Sequence, residues 1–162
     1  DDWYGGGPDF DAAVRDLAGD WHDALRSQPA ATFLTDPDTA LAAAILFDQV
    51  PRNIYRGHAD AFATDSLARA IARGIVANGW DQAWPDDRRQ FAYLPFEHSE
   101  DIADQRESLR LMNQLADPVF HDYAQKHFDI IERFGRFPHR NAALGRTTRP
   151  DEEAAIEEGK HW

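Results

Sequence analysis

No cysteine occurs among the 162 residues, which removes disulfides, thiolate nucleophiles and cysteine-based zinc sites. It leaves the redox compartment open. Lysine is nearly as scarce: only Lys126 and Lys160 are present, so arginine carries almost all the positive charge, and arginine is the better residue for planar, two-pronged pairing with carboxylates and phosphates. Long apolar runs are missing as well. The longest, Ala40 to Phe47, falls far short of the roughly 18 to 20 residues that a membrane span requires, and the acidic amino end has no signal-peptide pattern. No membrane partner is expected, and the location expected is cytoplasmic. Positive charge is itself in deficit, with 29 acids against 17 Lys and Arg and a formal net charge of -12. That field repels duplex nucleic acid and anionic lipid, so no nucleic-acid partner is expected. At this length a single domain over 1–162 suffices, stable without metal or disulfide.

Sustained apolar/polar alternation is also lacking, and the periodicity that is present is helical. Phe10, Val14, Leu17, Trp21 and Leu25 fall at three- and four-residue steps and predict a first helix from Asp9 that buries this face. Asp36-Pro37 supplies an N-cap oxygen and a proline at the first position, opening a second helix that is expected to end at Val50-Pro51. The following PRNIYRG then reads as a polar loop. A third helix is predicted over Asp65 to Ala77, stopped by Asn78-Gly79, with Trp80 and Trp84 over its end. A fourth is opened by Pro85 with Asp86 and Asp87 and is expected to kink or stop at Pro95. Ser99 is read as the cap of a fifth, and Asp117-Pro118 as the start of a sixth that runs to Gly135. A short last helix follows near Asp151 to Glu158. Trp21, Trp80 and Trp84 read as core or capping residues, with Trp3 and Tyr4 as anchors of the glycine-rich start.

The expected fold is therefore all-α: about seven helices in antiparallel pairs, forming either a compact bundle or a stack of helical hairpins. Four segments in order, ILFDQVPRNIYRG, AFATDSLARAIARG, YLPFEHSEDIADQ and RFGRFPHRNAALGR, resemble motifs of a bacterial family of uncharacterised proteins, DUF924. The resemblance runs from about Trp3 to Gly159. It implies a tetratricopeptide-like alpha-alpha superhelix and no activity. It also implies that an aromatic segment usual at the start of family members is absent before Asp1, which would leave a groove open on one side, and the ending Glu158-Gly159-Lys160-His161-Trp162 differs from the usual one.

The stretch from Arg133 to Arg146 is a positive island, with four arginines, His139 and Asn141 and no carboxylate. Glu97, His98, Glu100 and Asp101 form an acidic counterpart around Ser99. Two arrangements follow. In one, Glu97, Glu100 and Asp101 pair with Arg136 and Arg140 and fasten helix five to the loop after helix six, with no ligand. In the other, Arg52, Asn53, Arg56, Glu100, Arg136, Arg140 and Asn141 line a pocket, since Arg52 and Arg56 have no acid between Gln49 and Asp60. Such a pocket would hold a small carboxylate or phosphate metabolite, or an acidic peptide. An enzyme reading makes His98 or His139 a general acid or base tuned by Glu97 or Asp101. A metal held by His98, His139 and Glu97 or Asp101 lacks the HExxH type of spacing, and neither a metal nor a cofactor is expected. His127, on the apolar face of helix six, reads as a satisfied interior histidine. The loop from Phe137 to Asn141 is expected to pack on the start of helix five.

Overall fold

Three helices begin on a proline, where a missing N–H costs nothing and a fixed φ helps. In the computed structural model, residues 7–158 are described, and the anchors Trp3 and Tyr4 and the ending from Gly159 lie outside them. Among the described residues the chain forms seven α-helices: α1 (Pro8–Leu25), α2 (Pro37–Ile54), α3 (Asp65–Ala77), α4 (Asp86–Glu97), α5 (Ile102–Met112), α6 (Pro118–Phe134) and α7 (Glu153–Glu158). Single 3-10 turns link α1 to α2, α2 to α3 and α3 to α4, and two lie between α6 and α7. No helix among the described residues is long and apolar enough to cross a membrane.

The contacts divide the chain into two compact units, Asp1–Pro95 and Phe96–Trp162. In the first, α1 packs on α2 and α2 on α3 as antiparallel hairpins. Val14 of α1 meets Val50 and Ile54 of α2, with Phe10, Ala18, Leu46 and Tyr55 around them. The buried face of α1 thus runs through Val14, Ala18 and His22. Leu17 and Trp21, expected in the core, are 80 % and 65 % exposed. Both are apolar, but their spacing fits either of two adjacent faces of one helix, and the His22 face won. Buried His22 is held by Asp23 and by the Thr64 hydroxyl, 3.1 and 3.4 Å away, and lies beside Phe47 and Tyr55.

Helix α2 starts as expected, with the Asp36 carboxylate accepting from the Thr39 N–H at 2.9 Å. It does not stop at Pro51. The carbonyl that Pro51 leaves without its helical donor is that of Phe47, four residues back, and the buried Thr64 hydroxyl donates to it at 2.7 Å. The helix therefore continues through Arg52 and Asn53 to Ile54, and the first half of PRNIYRG is helical rather than loop. Helix α4 likewise runs through Pro95 to Glu97.

In the second unit α5 packs on α6. Ile130, Ile131, Phe134, Phe137 and Ala155 form its core, with Ile102 against them. The cap of α5 is Asp101, which accepts from the Ala103 N–H at 2.7 Å, rather than Ser99. Ser99 sits in the turn before it, accepting from the Asp101 N–H and donating to Asp104. Asp117 caps α6 through the Val119 N–H, and Gly135 ends it at φ 69°, a conformation that glycine adopts without strain.

Candidate functional site

The polar residues of the second unit are set by where α4 and α6 end. Glu97 is the last residue of α4, and His98 leads into the turn before α5. After Gly135 reverses the chain, Pro138–Arg140 make one 3-10 turn that presents His139 and Arg140. This turn does lie on the start of α5. The Phe137 N–H donates to Glu100 at 2.7 Å, and the Arg140 guanidinium donates to the His98 carbonyl at 3.0 Å.

The ion pairs join partners other than those expected. Glu100 is taken by Arg146, whose two terminal nitrogens donate to its two oxygens at 2.7 and 3.0 Å. Arg146 also donates to the Phe137 carbonyl, so both backbone groups of Phe137 are held by this pair. Burial pushes the Glu100 carboxyl up, but Arg146 and the Phe137 N–H more than offset it and hold it below the usual range. Arg136 pairs with Glu152, its Nε and one terminal nitrogen reaching the two oxygens at 2.7 and 2.8 Å. The side chain of Asn141 and the Arg149 N–H donate to the same carboxylate at 3.1 and 2.8 Å. Glu152 has no exposed surface, and the Arg136 hydrogen bonds draw its carboxyl down to about 2. Arg136 and Asn141, expected in a pocket, thus serve an interior clasp. Asp101 is exposed and occupied as a cap.

Three histidines, Glu97 and Arg140 lie together in the same unit. Buried His127 of α6 lies with its Nδ1 2.9 Å from the Tyr123 carbonyl and 3.3 Å from a Glu97 oxygen. Its ring is 6.0 Å from that of His98 and 5.5 Å from Phe137. Phe137 is the platform of the site, with His139 at 5.5 Å between ring centres and the Arg140 guanidinium at 4.3 Å from its centroid. That guanidinium is buried, Arg140 being 6 % exposed. Burial and then the Arg140 charge push the His139 imidazole down to about 4. Burial, followed by His98, pushes His127 well below the ordinary histidine range, and Arg140 and His139 add to that.

The first unit holds the other expected residues. Arg52 is paired with Asp48 at 3.3 Å and with Asp65 at 3.1 Å, and Arg56 with Asp11 through two bonds of 2.9 Å. The expected absence of neutralising acids is thus overturned: they come from one helical turn back and from other helices. Arg56 and Asn53 do border an open cavity of about 390 Å³, together with Asp11, Arg15 and Asp16. Its two arginines face two aspartates, so it has no net charge to attract an anion.

Glu152, Arg146 and the Glu97–His127 contact were not identified from the sequence. Glu152 sits among the glutamates of the last segment, where nothing distinguishes a buried carboxylate from a solvated one. Arg146 lay inside the positive island, and only the left-handed turn at Gly145, φ 63°, aims it back at Glu100.

The family model described as a bacterial protein of unknown function, DUF924, matches residues 1–160. A solved structure of a protein of unknown function from Agrobacterium tumefaciens is similar at 43 % identity, covering 97 % of this chain and 89 % of that one, with a TM-score of 0.90. No curated protein matches the chain.

Proposed function

The chain belongs to the DUF924 family, whose description names no activity, and we propose on the site alone that the second unit binds a small anion, a carboxylate or phosphate, at Arg140 and His139. One observation carries this reading: a buried guanidinium is laid on the Phe137 ring and tied to the His98 backbone carbonyl, with its charge felt by both neighbouring histidines. An arginine held this way is oriented before any ligand arrives, and its planar donor edge matches a carboxylate or phosphate. Arg52, Arg56, Arg136 and Arg146 each meet an acid of the chain and are assigned to structure; Arg140 is chosen for its stacking on Phe137 and its place between two histidines. A histidine at about 4 is a weak base at neutral pH, so His139 lends no support to acid–base catalysis. The half-buried setting favours a small ligand over an acidic peptide.

Thermal shift with phosphate and with succinate tests it. At about 100 times the dissociation constant, binding adds about 2.7 kcal/mol, which for this size raises the melting point by roughly 5 to 11 °C. Arg140→Lys keeps the charge and loses the fork, and His139→Gln removes the ring; each is expected to weaken binding at least tenfold, on the order of 1.4 kcal/mol. A wild-type shift below about 1 °C with both anions, or an undiminished shift in Arg140→Lys, overturns the reading.

A further inference from the structure

We propose that Glu97, His98 and His127 form a binding site for a divalent transition-metal ion of the Zn2+, Co2+ or Ni2+ type. Among the described residues, these three are the group whose imidazole and carboxylate donor atoms come within 4.8 Å of one another. Four-coordinate zinc at bond lengths of about 2.0 to 2.2 Å needs its donors roughly 3.4 Å apart, so closing on an ion asks for small side-chain rotations rather than backbone movement. Two imidazoles and one carboxylate make the donor set of a borderline ion, and the three leave coordination positions open; a hard ion such as Ca2+ wants six or more oxygens. The neighbouring Arg140 charge points the same way, because it disfavours an ion held by net charge more than one held by nitrogen donors.

The surroundings are those of a prepared site. His127 has its Nδ1 2.9 Å from the Tyr123 carbonyl and 3.3 Å from a Glu97 oxygen, so its ring is oriented by the chain and two of the three ligands already lie in contact. The backbone of the other two ligands is fastened from other elements: Gln105 of α5 donates to the Glu97 carbonyl at 2.6 Å and to the Ser99 carbonyl at 2.7 Å, while Arg140 holds the His98 carbonyl. Because α4 ends at Glu97, His98 is freed from the 100° helical step and can share a centre with its neighbour. Glu97 and His127 are both buried, which separates this group from the solvated acidic clusters common on protein surfaces. Sequence spacing conceals it, since Glu97 and His98 are adjacent and His127 arrives from α6.

This inference does not rest on the anion reading, and its test uses no anion. The full chain, stripped with a chelator, is titrated with ZnCl2 and with CoCl2 in phosphate-free buffer, following stoichiometry by calorimetry and the Co2+ site by its visible absorption. One ion per chain is expected. His98→Ala, at a partly buried position, and Glu97→Gln should each weaken binding at least about tenfold, since losing even an outer-sphere partner costs about 10- to 100-fold. A His58→Gln/His121→Gln variant, altered at histidines outside the group, should bind as the wild type does. Wild-type binding weaker than about 10 µM, or not one-to-one, overturns the site. So does a His98→Ala variant that binds undiminished, or loss of binding in the His58→Gln/His121→Gln variant. His98→Ala leaves Arg140 and His139 in place, so phosphate binding that survives it shows the two sites failing or holding separately.

Discussion

Glu152 lies fully buried among donors from Arg136, Asn141 and Arg149, and this makes it the most exacting single residue of the second unit. A buried pair need not stabilise a fold relative to an apolar substitute, yet removing one member leaves the other charge uncompensated. Glu152→Gln is expected to destabilise the protein by about 3 kcal/mol in a urea titration, because the Arg136 guanidinium then faces no compensating carboxylate charge in the clasp. A loss within about 0.5 kcal/mol would show the clasp to be incidental. The residue types of this region were readable in advance, since the positive island and the acidic turn are both real and adjacent. Their pairing was not. Glu100 to Arg146 and Arg136 to Glu152 are choices among several arginines at similar distance along the chain, and the choice depends on where left-handed Gly135 and Gly145 send the backbone.

At the scale of elements, caps were legible because they are local: Asp36 and Asp117 act within three residues of themselves. What tertiary structure repairs was not legible. Pro51 should have ended α2, and does not because a threonine 13 positions later donates to the Phe47 carbonyl. Thr64→Val should therefore cost about 1 to 3 kcal/mol, the penalty of an unsatisfied buried acceptor. In a Pro51→Ala background, where the restored N–H can reach Phe47, the same change should cost at least about 0.5 kcal/mol less. A double-mutant cycle by urea denaturation measures this, and equal costs in the two backgrounds would exclude the repair. The face of α1 is a second case. Leu17 and Trp21 follow helical spacing as well as Val14 does, but α2 and Thr64 select the His22 face. Trp21→Gln is accordingly expected to change stability by no more than about 0.5 kcal/mol in a urea titration, and a loss above about 1 kcal/mol would put the indole in the core.

Over the whole molecule, the shifted groups bias stability against acid in two windows. His139 and His127 have folded values below the ordinary 6.5. The unfolded chain therefore binds more protons, and their contribution is complete above about 6.5 and is lost as pH falls through the folded values, near 4 for His139. The groups facing His139 are Arg140, Arg146, His98 and Glu100, and those facing His127 are His98, Arg140, His139 and Glu97; Glu100 opposes the shift of His139, and the hydrogen bond to the Tyr123 carbonyl opposes that of His127. Glu152, Glu100 and Asp11 have lowered values as well, and their contribution is present above the unfolded value near 4 and disappears below it, down to about 2 for Glu152. Each group adds a slope of at most about 1.4 kcal/mol per pH unit inside its window. Easing of self-repulsion as the charge of -12 is titrated works in the opposite direction, so the readout is the difference between wild type and variant rather than the wild-type curve alone. Melting temperature at constant ionic strength from pH 8 to 3 should fall less steeply between 6.5 and 4 in His139→Gln than in the wild type, and less steeply below about 4.5 in Glu152→Gln. If His139→Gln and the wild type run parallel between pH 6.5 and 4, the imidazole is not held neutral by burial beside Arg140, and the electrostatic picture of the site fails with it.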